Sequence, residues 1–276
     1  MGFFSNYYTK PGPGISKDEP KKKGAALYFQ LFFRHIWDFV KENMMYVVAS
    51  IPAFLIYYYL FSVFDIFSIY EYFAKNNAVD IYETVKIFAV LLVVILCGTG
   101  PASAAMAYMM RCVTREEHCF LLSDFKDKFK ENFKNGMILS VADILLISFI
   151  FPVALRFYHT SYVSSGSIGF SVLFVIIILF MLVYVMMHFY FYQFIITYEL
   201  KLLNALKNSV IMALAYLPLN LLVMAVPVVL TYFLMSFIQP GVVILCAVFF
   251  WISFMRYPIE FLAARTIKNK LLDNNN

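Results

Sequence analysis

The stretch that decides the fold is VKIFAVLLVVILCGTGPASAAMAYMM, residues 85–110. It carries no charge after Lys86 and is long enough to cross a bilayer as one helix. Gly98, Gly100 and Pro101 interrupt it, because glycine weakens a helix and proline lacks an N–H but fits the first turn of a new helix. The sequence therefore predicts a membrane span that breaks near residues 98–100 and restarts at Pro101.

Two interpretations of this break stay open at the sequence level. The thirteen residues 84–96 rise about 20 Å, so the break is expected inside the bilayer, nearer the cytoplasmic face. The restarted half-helix would present free N–H groups to an anion or polar substrate, with hydroxyls from Thr99 and Ser103. Alternatively, the following alanines let a neighbouring helix approach closely, and the break is a packing joint. The candidate ligand or packing site comprises Gly98, Thr99, Gly100, Pro101 and Ser103.

The composition predicts an all-α polytopic membrane protein with about six transmembrane helices. Of 276 residues, 62% are hydrophobic and 14% charged, whereas soluble domains are roughly 45–50% apolar. The net charge of +5 does not indicate nucleic-acid binding, because the basic residues flank apolar segments. No P-loop, H-E-x-x-H or G-x-S-x-G motif occurs, so we expect neither an enzyme nor a cofactor, and the cysteine spacing predicts no metal site.

Three regions are predicted: a polar basic arm at 1–24, one membrane domain at 25–265 and a polar tail at 266–276. Similar segments at 39–52, 133–146 and 206–219 each open an odd-numbered span. This pattern favours three parallel repeats, each an interfacial amphipathic helix followed by a transmembrane hairpin. The predicted spans are 44–67, 84–110, 137–157, 168–194, 209–236 and 241–262, and the predicted interfacial helices are 25–43 and 115–135.

The distribution of basic residues predicts the orientation. Nineteen of the 22 Lys and Arg residues fall on one side of these six spans, and three fall on the other. Because positive residues stay in the cytoplasm, we expect both termini there, with anionic lipid at the same face.

The second interfacial helix has the pattern of a docking surface. Its predicted start is a capping box at Thr114–Glu117. Phenylalanines then recur at i, i+4 beside a matching row of lysines, which would place aromatic rings in the acyl boundary and ammonium groups at phosphates. The predicted lipid-docking or partner-docking residues are Phe125, Lys126, Phe129, Lys130, Phe133 and Lys134.

Polar residues inside the spans predict buried pairs. Asp143 and His188 both lie about 10 Å deep, counted from their span ends. We expect them to pair, with Tyr184 or Tyr192 nearby, either as a proton-responsive pair or as a structural clasp. Arg256 and Glu260 have in-helix ion-pair spacing, and the pair is expected near the cytoplasmic surface.

The region from 98 to 136 resembles the YesL-like family of small integral membrane proteins of Gram-positive bacteria. The resemblance rests on a glycine-proline-alanine stretch and on an acidic-aromatic-basic segment ending in F-K-x-N. Members of that family are often encoded near carbohydrate ABC transporters, and no biochemical activity is assigned to them. The matching residues here are Gly100, Pro101, Ala102, Ala104, Ala105, Tyr108, Arg111, Arg115, Glu116, Asp124, Phe125, Phe129, Lys130, Glu131 and Asn132.

We therefore expect a non-enzymatic accessory or scaffold protein of the bacterial cell membrane, linked to carbohydrate uptake or utilisation. As the resemblance implies, its partner would be a carbohydrate ABC transporter permease. The alternative is a small transporter or channel whose polar site is the broken second span.

Overall fold

The computed structural model describes residues 24–64, 79–159, 168–198 and 200–273, and these form helices without strands. The chain is thus an all-α polytopic membrane protein. Residues 1–23 of the predicted arm and the ends of the first predicted span and of the tail lie outside the described residues. The helices are α1 (Gly24–Arg34), α2 (Ile36–Phe64), α3 (Val79–Leu96), α4 (Pro101–Arg115), α5 (Leu121–Glu131), α6 (Phe133–His159), α7 (Ile168–Thr197), α8 (Leu202–Ala215), α9 (Leu217–Phe237), α10 (Pro240–Cys246) and α11 (Ile252–Asp273).

Among the described residues, four helices are long and apolar enough to cross a membrane, or five if the bent pair counts as one span. Four helical stretches are long and apolar enough: Ile36–Leu60, Ile168–Thr197, Leu217–Phe237 and Gly241–Lys270. The bent pair α3–α4 adds a fifth if it counts as one span. Helix α6, with 27 residues, covers the third predicted span.

Several predicted helix boundaries are wrong, because helices end at positions where the hydrophobic periodicity of the sequence continues. The predicted interfacial helix 25–43 ends at Arg34, and residues from Ile36 onward belong to the first long helix. The predicted fifth span, 209–236, is divided between two helices. Its first residues belong to α8, a shorter apolar helix that ends before Tyr216, and the rest belong to α9. The predicted polar tail remains helical to Asp273.

The second predicted interfacial helix starts later than its supposed capping box. Helix α4 continues to Arg115, where the Thr114 hydroxyl donates to the Met110 carbonyl 2.8 Å away and caps nothing. Glu116 then adopts φ 57°, which ends the helix. Helix α5 begins at Leu121, and the carboxylate of Asp124 in its first turn accepts the Phe120 N–H at 2.9 Å.

A short helix precedes a long one three times along the chain. Helices α1, α5 and α8 have 11, 11 and 14 residues, and each is followed after one residue by α2, α6 and α9, respectively. This order has the form of the repeat unit expected from the sequence.

Helix α4 lies at the centre of the bundle. Residues 101–107 are all buried, and four of them are alanines that bring neighbouring helices close. The core clusters on either side of α4 join it to α2 and α11 and to α6 and α7. A broken, small-residue helix is therefore the element on which the other helices pack.

The last span contains a π-helical turn, Ala247–Trp251, that one side chain of α2 satisfies. The Asn43 amide donates to the carbonyls of Ala247 and Val248, each at 2.8 Å, and its oxygen accepts the Ser253 N–H at 2.8 Å. A π-turn leaves backbone groups without their usual helical partners, and lipid supplies none. Asn43 thus stabilises the turn and ties α2 to the start of α11.

Candidate functional site

The predicted break in the second span is confirmed. Helix α3 ends at Leu96, α4 begins at Pro101, and the two are bent by 58°. Gly98 and Gly100 have φ of 92° and 72°, a region that favours glycine. The backbone turns here because these two positions carry no Cβ and the next residue lacks an N–H.

Side chains satisfy the backbone groups that the break frees. The Thr99 N–H donates to Ser103 Oγ at 2.7 Å, and the Tyr192 hydroxyl donates to the Cys97 carbonyl at 3.1 Å. The N–H groups of Cys97 and Gly98 both donate to the Val93 carbonyl. These partners close the turn from within the protein.

The polar side chains around the break form one connected group, which we call the break cluster: Tyr46, Ser50, Thr99, Ser103, Gln193, Arg256 and Glu260. Thr99 Oγ1 lies 2.6 Å from Ser50 Oγ and donates to Tyr46 Oη at 3.0 Å. Ser103 Oγ lies 3.3 Å from Tyr46 Oη. Both hydroxyl-bearing residues of the predicted site therefore contact helix α2.

A buried ion pair completes the break cluster. Arg256 Nη1 donates to Ser103 Oγ at 2.9 Å, and Nη2 donates to Glu260 Oε1 at 3.0 Å. Glu260 Oε2 accepts from the Gln193 amide at 2.7 Å. The pair predicted from sequence thus forms, but not at a surface: Arg256 and Glu260 are 3% and 1% exposed. The guanidinium also lies over the rings of Tyr46 and Tyr192.

Asp143 and His188 are in contact, as the sequence predicts. His188 Nε2 lies 2.9 Å from Asp143 Oδ1, and the Tyr184 hydroxyl donates to the same oxygen. His188 Nδ1 lies 2.9 Å from the Tyr184 carbonyl, which only accepts, so Nδ1 carries a proton. One further proton therefore lies between Nε2 and the carboxylate. The arrangement serves a structural clasp and a proton-responsive pair equally.

The predicted site is closed. Thr99, Ser103 and Asp143 are 5%, 0% and 0% exposed. The hydrogen bonds of Thr99 and Ser103 run to neighbouring helices, which is the arrangement of a packing joint. Polar atoms without a partner among the described residues lie beside it, including Ser140 Oγ, Asp143 Oδ2 and Arg256 Nε.

Near the start of α6, the backbone of Gly136 lies directly against the backbone of the break. A Cβ at Gly136 would lie 2.5 Å from Pro101 N and 2.8 Å from Gly100 C. A Cβ at Gly100 would in turn collide with Ser140 Oγ. This contact fixes Gly100 and Pro101, the two remaining residues of the predicted site, against the third predicted span.

Some of the predicted docking residues are buried in the protein, and the others are exposed on its surface. Phe125 is 6% exposed and packs on Ala105 and Met109 of α4, so the expectation that it enters lipid is wrong. Phe129 is partly buried in the same contact. Phe133, at 48%, and the lysines remain exposed: Lys126, Lys130 and Lys134. Phe125 and Phe129 face the bundle because α5 folds back on α4.

Sequence reasoning missed most of the break cluster's partners. Tyr46, Ser50 and Gln193 are isolated polar residues in apolar helices. The sequence did contain one signal: burying a polar side chain inside a membrane span costs free energy, so each such residue is expected to have a partner. It does not say which helix supplies that partner.

Residues 39–151 match the model of a family described as "Protein of unknown function, DUF624". The match includes the break and Asp143 but not His188, Gln193, Arg256 or Glu260. Comparison with curated proteins and with solved structures gave no match.

Proposed function

We propose that this protein is a non-enzymatic accessory component of the bacterial cell membrane that holds a carbohydrate-uptake permease at its cytoplasmic face. The observation that carries this proposal is the closure of the break cluster, whose central hydroxyls pair with helices α2 and α11. A closed polar core gives a rigid bundle, and contacts with other molecules then fall to its surface. The resemblance of residues 98–136 to the YesL-like family supports the carbohydrate setting.

The exposed face of α5 is the docking surface in this proposal. Lys126 and Lys130 extend from α5, which is anchored through Phe125, and Lys134 lies in the first turn of α6. An apolar groove beside it is lined by α2 and α5 residues, including Met44, Val48 and Leu122. Anionic lipid would bind the lysines, and both termini would lie on the same cytoplasmic side.

Affinity purification from native membranes in a mild detergent tests the proposal. We expect a carbohydrate ABC permease to copurify in stoichiometric amount with the wild type. Charge reversal of Lys126, Lys130 and Lys134 to Glu is expected to reduce its recovery about tenfold, the effect of losing about 1.4 kcal/mol of binding free energy. The matched control reverses Lys268 and Lys270, which are exposed on α11. Absence of a permease, or equal losses in both variants, would contradict the proposal.

The rival function is a small transporter or channel. It is favoured by the buried, unpartnered atoms Asp143 Oδ2 and Arg256 Nε, which a water molecule or a transported solute would satisfy. The two functions differ in whether water reaches the break.

Cysteine accessibility at the break distinguishes them. In a Cys97→Ser background, we expect Thr99→Cys to react with a charged, water-soluble thiol reagent at least about a hundredfold more slowly than an exposed cysteine at Lys126, because buried thiols are inert. Intact vesicles are labelled, and formation of the thiol adduct over time is measured by mass spectrometry. Equal labelling rates at the two positions would favour the transporter.

A further inference from the structure

A second cavity lies apart from the break cluster, between α1, α2, α4 and the α4–α5 connection. It has a volume of about 410 Å³, within the usual range of small-molecule sites. Its mouth is marked by an ion pair between Arg34 and Glu116, 2.7 Å apart and 44% and 42% exposed. The exposed residues Glu117 and His118 also line it. The cavity therefore opens at the polar end of the bundle.

The lining of this cavity is rich in carboxyl groups. Four carboxylates face it, from Asp38, Glu42, Glu116 and Glu117, against the single guanidinium of Arg34. The outer three have partners: Asp38 contacts His35 and Lys41, Glu116 contacts Arg34, and Glu117 lies 3.6 and 3.8 Å from two further arginines. An acidic cavity is unexpected on a face where the sequence places most of its basic residues.

Glu42 is the carboxylate without a partner. It lines the cavity yet is only 1% exposed, and its Oε1 makes no hydrogen bond in the part of the chain that the structure describes. Glu260 and Arg256 are close enough to interact with it electrostatically. The buried region thus holds two carboxyl groups and one guanidinium, which already donates to Glu260 and Ser103. Burying an unpaired carboxylate is costly, and a cation placed beside it removes the cost.

The remaining wall is apolar. Met109, Val113 and Leu121 line the cavity together with the thiols of Cys112 and Cys119. In the described ranges no three His, Cys, Asp or Glu side chains converge as metal ligands. An organic cation with an apolar stem fits this combination of a carboxyl group and an apolar wall.

We propose that this cavity binds an aliphatic ammonium group, with the nitrogen at Glu42 and its alkyl stem along the apolar wall. The ammonium donates hydrogen bonds to Glu42 Oε1, which supplies the missing charge partner. A free diamine or polyamine carries this chemistry, with its second nitrogen towards Asp38 at the mouth, and so does the lysine side chain of a partner protein.

Isothermal titration calorimetry on the purified full-length protein tests this site. The probes are 1,4-diaminobutane and Nα-acetyl-lysine methylamide, each titrated into wild type, Glu42→Gln and Asp127→Asn. We expect saturable binding to the wild type that is weakened about tenfold or more in Glu42→Gln, as for loss of one charge-assisted hydrogen bond. Asp127 is exposed on α5 outside the cavity lining, so Asp127→Asn controls for charge and is expected to bind as the wild type does.

The two probes separate the two sources of the ammonium group. Tighter binding of the diamine indicates a free polyamine, and tighter binding of the lysine compound indicates a partner's side chain. Should Glu42→Gln not be recovered folded, Asp38→Asn replaces it, and it is expected to weaken the diamine more than the lysine compound. Binding of neither probe, unchanged affinity in Glu42→Gln, or displacement of the probes by equimolar Zn²⁺ or Mg²⁺ would overturn the proposal.

Discussion

Gly136→Ala is expected to lower the apparent Tm strongly, because the added methyl group collides with backbone atoms. The new Cβ would lie 2.5 Å from Pro101 N and 2.8 Å from Gly100 C and Pro101 Cα. These are backbone atoms on a break that Gly98 and Gly100 already hold at positive φ, so no rotamer change relieves the contact. Overpacking usually costs about 1–3 kcal/mol, and we expect the upper end of that range or more.

Gly241→Ala is the matched control. Gly241 is also helical, but nothing lies within 4 Å of the position its Cβ would take. Because alanine favours a helix by about 0.5–1 kcal/mol over glycine, we expect the control to unfold at or slightly above the wild-type temperature. The readout is the thermal unfolding temperature in detergent, followed by intrinsic fluorescence. Equal melting of the two variants would mean that α6 does not press on the break.

Arg256→Met is expected to be the most damaging change to a charged side chain. It removes the donor to Ser103 Oγ and Glu260 Oε1 and leaves Glu260 buried with the Gln193 amide alone. Removing one partner of a buried ion pair costs about 3–5 kcal/mol, because the other charge stays uncompensated. The double variant Arg256→Met/Glu260→Gln removes that charge, so it is expected to recover part of the loss.

Lys268→Met provides the control on the same helix. Lys268 is exposed, and no ion pair of this residue occurs among the described residues, so a change within about 0.5 kcal/mol is expected. Apparent Tm values of the wild type, both single variants at 256 and 260, and the double variant form a double-mutant cycle. If the double variant melts no higher than Arg256→Met, the uncompensated charge of Glu260 is not the source of the instability.

Much of the architecture could be predicted because local chemistry sets it. Apolar segments of bilayer length predict helices, and the fourth predicted span, 168–194, corresponds closely to Ile168–Thr197. Gly98, Gly100 and Pro101 predict a break wherever the rest of the chain goes, since their effect acts on their own backbone. The pairing of Asp143 with His188 followed from burial cost, which leaves few partners at the same depth.

Boundaries were less predictable where a distant contact competes with local pattern. Thr114 and Glu117 have the spacing of a helix start, but α4 continues to Arg115 and the chain turns at Glu116, which Arg34 of α1 holds at 2.7 Å. The Phe125 ridge predicts a face that avoids water without saying whether lipid or protein covers it. In the structure protein covers this face, because Phe125 packs on Ala105 and Met109.

The sequence by itself determined the helical membrane class, the position of the break and the polar residues that needed partners, because composition, backbone freedom and desolvation are properties of each segment. Only the tertiary structure decided that Tyr46, Gln193 and Arg256 meet at the break, that Gly136 touches its backbone, and that Glu42 lines a cavity with no hydrogen bond to its Oε1 from the described residues. These contacts join residues far apart in the chain. Helical periodicity places each on a face but carries no information about which face of another helix it will meet.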